Sequence, residues 1–147
     1  MARVPLRIEH GSVYLSATVL CRTAPRPKPL KFLVDTGASV TILSLRDAKE
    51  IGVDPSTLPR HPVPVGGYGG KAEMRRVDGV MLSMSREDGT NHEIVMDYIG
   101  VHCAGAEAKR EERLVYGIPS IIGTDAMRES GLWLHMNLAK NVAYFED

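Results

Sequence analysis

The chain has 147 residues, 44% of them hydrophobic, with 18 basic and 18 acidic side chains. That length fits a single domain over 1–147 and suffices to bury a core without disulfides or metals. The apolar content excludes a disordered chain, and the neutral balance gives no electrostatic basis for a nucleic-acid or anionic-membrane partner.

The first 20 residues alternate. Val4, Leu6 and Ile8 form one apolar series; Val13, Leu15, Ala17 and Val19 form a second, with Gly11-Ser12 as the turn between them. This period of two predicts half-buried strands. Thr23 to Pro29 holds Pro25, Pro27 and Pro29 and reads as an exposed hairpin loop or edge. Leu30 to Val34 is the next strand and runs into Asp35. After the apolar run Val40 to Leu43 comes a helix, SLRDAKEIG, with Ser44 as N-cap, Asp47 in a capping-box variant and Gly52 as its stop. Val63 to Ala72 is glycine-rich and reads as a hairpin. Val77 to Met84 and His92 to Val101 read as strands joined by a turn at Arg86 to Gly89. Ala106 to Arg113 carries mixed charge and reads as a solvated loop or short exposed helix. Tyr116 to Gly123 returns to apolar character, and TDAMRESG follows as a second helix with Thr124 as N-cap and Gly131 as stop. Leu132 to Met136 and Val142 to Phe145 close the chain as a hairpin. Many short strands with two short helices predict an all-β barrel or sandwich-like domain. The order of strand, turn and capped helix occurs once in each half.

The two cysteines, Cys21 and Cys103, are distant and in no CxxC pattern, which predicts reduced thiols and a cytoplasmic location. The N-terminal MARVPLRIEHGSVYL has no apolar h-region, so neither a signal peptide nor a membrane helix is expected. His10, His61, His92, His102 and His135 are scattered without metal spacing, so no metal and no cofactor are expected. No GxSxG, P-loop or dinucleotide glycine pattern occurs.

The chemistry concentrates at FLVDTGAS, Phe32 to Ser39. Asp-Thr-Gly alone reads as a turn after a strand. Its apolar flanks instead predict an internal turn, where a carboxylate without a partner is costly. FLVDTGASVTIL resembles the active-site segment of the retropepsin-like aspartic proteases. VGGYGG stands at the place of that family's flap, PSIIGTDAM resembles its Gly segment and following helix, and LWLHMNLAKNVAYFED resembles its closing strands. The resemblance spans Ser12 to Glu146. It implies a retropepsin-like closed barrel and an aspartic endopeptidase acting on peptide or protein substrates. Asp-Thr-Gly occurs once, so it further implies a homodimer in which Asp35 of each subunit meets on a two-fold axis.

The same resemblance assigns roles. Asp35 would be catalytic, with Thr36 locking the two loops across the dimer. Gly37 would permit close backbone approach, Ala38 would line the cleft, and Ser39 would donate to the aspartate. Val65, Gly66, Gly67, Gly69 and Gly70 would form a flap over substrate, with Tyr68 at its tip as either a substrate contact or an exposed aromatic. Ile121, Ile122 and Gly123 would pack behind the loop. Retroviral members often pair an acid at the position of Ser39 with an arginine at that of Thr124; both are hydroxyl residues here. Asp125 reads as a helix N-terminal charge. Terminal strands around Val4 to Ile8 and Val142 to Phe145 are the expected interface, with pairing inside one subunit as the other possibility for the N-terminal piece. The alternative function is a catalytically silent binding or dimerisation module of the same fold.

Overall fold

In chain order the elements are β1 (Val4–Pro5), β2 (Arg7–Glu9), β3 (Ser12–Leu20), β4 (Pro29–Val34), β5 (Ile42–Leu43) and α1 (Leu45–Ile51). A 3-10 turn at Pro55–Thr57 follows, then β6 (Glu73–Ser85), β7 (Asn91–Cys103), β8 (Ser120–Ile122), α2 (Thr124–Ser130), β9 (Trp133–Asn137) and β10 (Val142–Glu146). The computed structural model describes residues 2–60, 73–103 and 118–147. The readings of Val63 to Ala72 and Ala106 to Arg113 lie outside those residues.

Hydrophobic alternation on β3 buries Val13, Leu15, Ala17 and Val19. β4 pairs with it antiparallel, setting Leu15 opposite Phe32 and Ala17 opposite Leu30. The ring continues through β8, β5, β7 and β6, and closes where β6 pairs back onto β3 at Val19 and Leu82. This closes six strands into a barrel, with β2 left as a short edge strand beside the start of β3. Its core holds Leu15, Phe32, Leu43, Ile51, Leu82, Met84, Ile94, Ile99 and Ile122.

Two departures from simple alternation have local causes. The run Val4 to Ile8 divides at Leu6, because β1 pairs with β10 while β2 pairs with β3. The β6–β7 hairpin changes face along its length. Val77 and Ile99 are opposed and buried, and so are Val80 and Met96, although the two pairs stand an odd three positions apart along both strands. The change falls at Gly79, whose φ of +62° an L side chain rarely adopts. One long bent hairpin can therefore bury both of its ends.

α1 begins and ends as its sequence dictates. The Ser44 side chain accepts from the Asp47 N–H, and Gly52 closes the helix at φ 87°. α2 does not. Its N-cap is Gly123 rather than Thr124, with no side-chain cap. The Thr124 N–H donates instead to the Ala38 carbonyl at 2.8 Å, so residue 124 is drawn into the helix by the loop it holds.

Candidate active site

The loop carrying Asp35 leaves β4 and enters β5, two strands that are not neighbours. β8 lies between them, parallel to β4 with Val34 opposite Ile122, and antiparallel to β5 with Ile42 opposite Ile121. The loop thus arches over the end of β8. The Asp35 N–H extends the β4–β8 ladder by donating to the Ile122 carbonyl at 3.1 Å. Ala38 N–H closes a turn onto the Asp35 carbonyl at 3.2 Å. Gly37 N–H donates to Asp35 Oδ1 at 2.9 Å and aims the carboxylate. A Cβ on Gly37 would stand 3.2 Å from that same oxygen, so glycine leaves the carboxylate its position.

Asp35 is half-buried, whereas Thr36, Gly37 and Ser39 are exposed. The turn was expected to be internal; within one chain it lies at the surface. Its apolar flanks belong to β4 and β5, which plunge into the barrel on either side. Ser39 is exposed beside a recess of about 220 Å3 shared with Val40, Val95 and Arg128, and the bond to the Asp35 carboxylate comes from Gly37. Ala38 is half-buried, and Ile121, Ile122 and Gly123 are buried beneath the loop. The flap residues Val65, Gly66, Gly67, Tyr68, Gly69 and Gly70 lie outside the described residues.

Sequence reasoning missed how the loop is fastened. Thr41, fully buried, donates its hydroxyl to Asp125 Oδ1 at 2.7 Å and its N–H to Oδ2 at 3.0 Å. The same hydroxyl oxygen accepts from Gly123 N–H at 3.0 Å, and the Thr41 carbonyl accepts from Gly100 N–H at 2.9 Å. Asp125 also accepts from Ala126 N–H, its expected helix-terminal role, so one carboxylate binds loop to helix. Gly123 must be glycine: a Cβ there would meet Ala38 O at 2.8 Å and Val40 C at 2.8 Å. A second buried relay anchors α1 to β8. Ser44 N–H donates to Ser120 Oγ at 2.8 Å, and Ser120 Oγ donates to Asp47 Oδ2 at 2.6 Å. The capping box expected between Ser44 and Asp47 is therefore closed through Ser120.

Beside this framework is a small apolar group apart from the main core. Ile42 and Ile121 are opposed and buried, and Gly100 faces Ile42 across β5 and β7. The missing side chain of Gly100 makes room for Met74, whose Sδ would lie 2.5 Å from a Cβ there. Next along, His102 pairs with Met74 and is 2% exposed. Neither of its ring nitrogens has a hydrogen-bond partner among the described residues, and burial pushes its pKa down. No group of His, Cys, Asp and Glu able to hold a metal exists among the described residues, and no helix among them is long and apolar enough to cross a membrane.

A closed barrel with an Asp-Thr-Gly loop arched over an inserted strand defines a retropepsin-like domain. The chain belongs to the aspartyl protease family, whose model matches residues 26–125. Its fold is similar to the crystal structure of a retropepsin-like aspartic protease from Rickettsia conorii. The TM-score is 0.56 and the identity 18%, over 98% of this chain and 96% of that one. It is also similar to EIAV protease complexed with the inhibitor HBY-793, with a TM-score of 0.51 and 16% identity over 84% of this chain and 91% of that one. Among curated proteins, none matches.

Proposed function

We propose that this chain is one subunit of a homodimeric aspartic endopeptidase, with Asp35 of each subunit forming the catalytic pair. The observation that carries the reading is the Asp35 carboxylate. It is aimed by Gly37 N–H, on a loop tied to β8 and α2, yet it lies at the surface of a single chain. A loop so firmly fastened is suited to precise placement, and one carboxylate is half of what the chemistry needs.

Two carboxylates in contact share one proton, behaviour for which aspartic-protease pairs are the type example. The ionised member takes a proton from a water held between them as that water attacks the peptide carbonyl carbon. The protonated member donates its proton to the carbonyl oxygen, and a tetrahedral diol forms with no covalent enzyme intermediate. Its collapse breaks the C–N bond and passes a proton to the leaving amine. Thr36, exposed beside Asp35, would meet the second loop. Ala38 would border the extended substrate, and Val65 to Gly70 would cover it. Because the pair must keep one proton, the rate should be best at acidic to mildly acidic pH and fall as the pair loses it.

The test is cleavage of a diverse peptide mixture from about pH 3 to 8, comparing the wild type with Asp35→Asn. Cuts by the wild type alone establish the reading. Equal cutting by both proteins, or a wild-type rate flat across the range, overturns it. Cutting by neither, with a stable dimer present, favours the silent binding module.

A further inference from the structure

β3 has β4 along one edge and two different strands along the other. On that second edge β2 pairs as far as Tyr14, and β6 pairs only from Thr18 onward. Leu15, Ser16 and Ala17 have no strand beside them there among the described residues. The N-terminal segment is the cause. Leu6 N–H donates to the Ala143 carbonyl at 3.1 Å, which takes the chain to β10 instead of along β3. The gap is about 10 Å long at the usual strand rise, room for two or three extended residues.

A recess of about 410 Å3 opens at this gap, a volume within the range of small-ligand pockets. Pro5, Leu6 and Pro29 give it apolar walls, and Arg7, Tyr14 and Lys31 a polar side. Its charge is unbalanced. Lys31 passes over the Tyr14 ring, 4.2 Å from the centroid, to bond Glu9, and Arg7 stands 3.5 Å from the same carboxylate. One carboxylate serves two exposed cations, so the recess keeps a net positive charge beside backbone groups that no strand uses. Lys31 precedes Asp35 by four residues on β4, roughly 13 Å along the strand, so the recess is separate from the candidate active site.

We propose that this recess binds the C-terminal end of an extended peptide whose last residue is apolar. The peptide backbone completes the ladder beside Leu15 to Ala17, the terminal carboxylate meets Arg7 and Lys31, and the last side chain lies between Pro5, Leu6 and Pro29. The open strand edge selects a peptide over a simple fatty acid. The excess positive charge selects a free carboxylate over an amide or an internal segment. Nothing in the site depends on Asp35, so it stands or falls apart from the aspartic reading.

The test uses the full chain carrying Asp35→Asn, so that no peptide is cut, and a fluorescently labelled Gly-Ala-Val-Leu ending in a free carboxylate or an amide. The acid should bind at least about 10-fold more tightly than the amide, and the double variant Arg7→Gln/Lys31→Gln should abolish that preference. Glu9→Gln removes the competing carboxylate and should tighten binding of the acid alone. Bound peptide should slow amide exchange within Leu15 to Ala17. No saturable binding of the acid up to about 1 mM, equal binding of acid and amide, or binding indifferent to the double variant overturns the site. If octanoate competes as tightly as the peptide and leaves exchange at Leu15 to Ala17 unchanged, the recess takes fatty acids and the peptide assignment falls. Should the double variant fail to fold, Glu9→Gln and the exchange experiment decide.

Discussion

Thr41 and Asp125, 84 residues apart in sequence, are joined by two hydrogen bonds of 2.7 and 3.0 Å that use both carboxylate oxygens. Thr41 ends the loop that begins at Asp35, and Asp125 opens α2. Removing the carboxylate by Asp125→Ala leaves the buried Thr41 N–H without its acceptor, and a lost bond to a charged group is itself expensive. The expected loss is about 3–5 kcal/mol in urea unfolding. In a double-mutant cycle with Thr41→Val, the two changes should fail to add by about 1–3 kcal/mol. Simple additivity would show that the contact does not couple loop to helix.

Gly123→Ala tests the close approach of β8 to the loop. The new Cβ would meet backbone atoms of Ala38 and Val40 at 2.8 Å, which no side-chain rotation relieves. The loop must shift, and with it Asp35. We expect a loss of about 2–4 kcal/mol and a fall in peptide cleavage of at least about 100-fold, since misplacement by an ångström can cost that much. Gly131→Ala is the control. It sits at φ +68° with open space around it, and should cost about 1 kcal/mol with cleavage retained. Equal effects on cleavage from the two variants would sink the argument.

Local signals were legible in the sequence where a residue acts on its neighbours. Ser44 and Gly52 bound α1, and the alternation of β3 was plain, because caps and faces depend on nearby residues alone. The segment Asp35 to Ser39 stood out for a different reason, its likeness to the loop of a known family. What could not be read were contacts that topology creates. Thr124 resembles an N-cap until Ala38 claims its N–H. Ser120 gives no sign in sequence that it completes a cap 76 residues away. The change of face at Gly79 breaks the period of two that makes a strand recognisable. That the outer edge of β9 pairs with nothing among the described residues depends on which strands lie beside it, and no hydrophobic pattern reports that.

Ser120→Ala removes the hydroxyl that joins Asp47 to the Ser44 N–H. Asp47 is only 7% exposed, so its carboxylate loses a 2.6 Å donor with little water to replace it. The Ser44 N–H loses its acceptor in the same step. The combined loss should be about 2–4 kcal/mol by thermal or urea unfolding. Asp47→Asn keeps a side-chain acceptor for Ser120 and the backbone cap at Ser44, so it should cost less. A larger loss for Asp47→Asn than for Ser120→Ala would show that the charge, not the relay, is what matters.

His102 makes stability depend on pH in a window of its own. Burial holds its pKa below the ordinary 6.5, and its ring nitrogens have no hydrogen-bond partner among the described residues. In the unfolded chain the imidazole takes up a proton near pH 6.5; in the folded chain it resists until the pH is lower. Over that interval the unfolded state binds more protons, so stability falls as pH falls through 6.5 and levels off below the folded pKa. The carboxylates of Glu9 and Glu50 are held below their ordinary 4.5 by Lys31 and Lys28, so their contributions are lost only at still lower pH. Between about pH 7 and 5 the urea midpoint of the wild type should therefore drop, and that of His102→Leu should drop less. Identical slopes for the two proteins would show that His102 protonates as freely folded as unfolded. If the slopes differ as expected, the protein is weakest toward the acidic range where the proposed carboxylate pair would work best. Association into the proposed dimer would then add stability in that range, through mass action on the folded state.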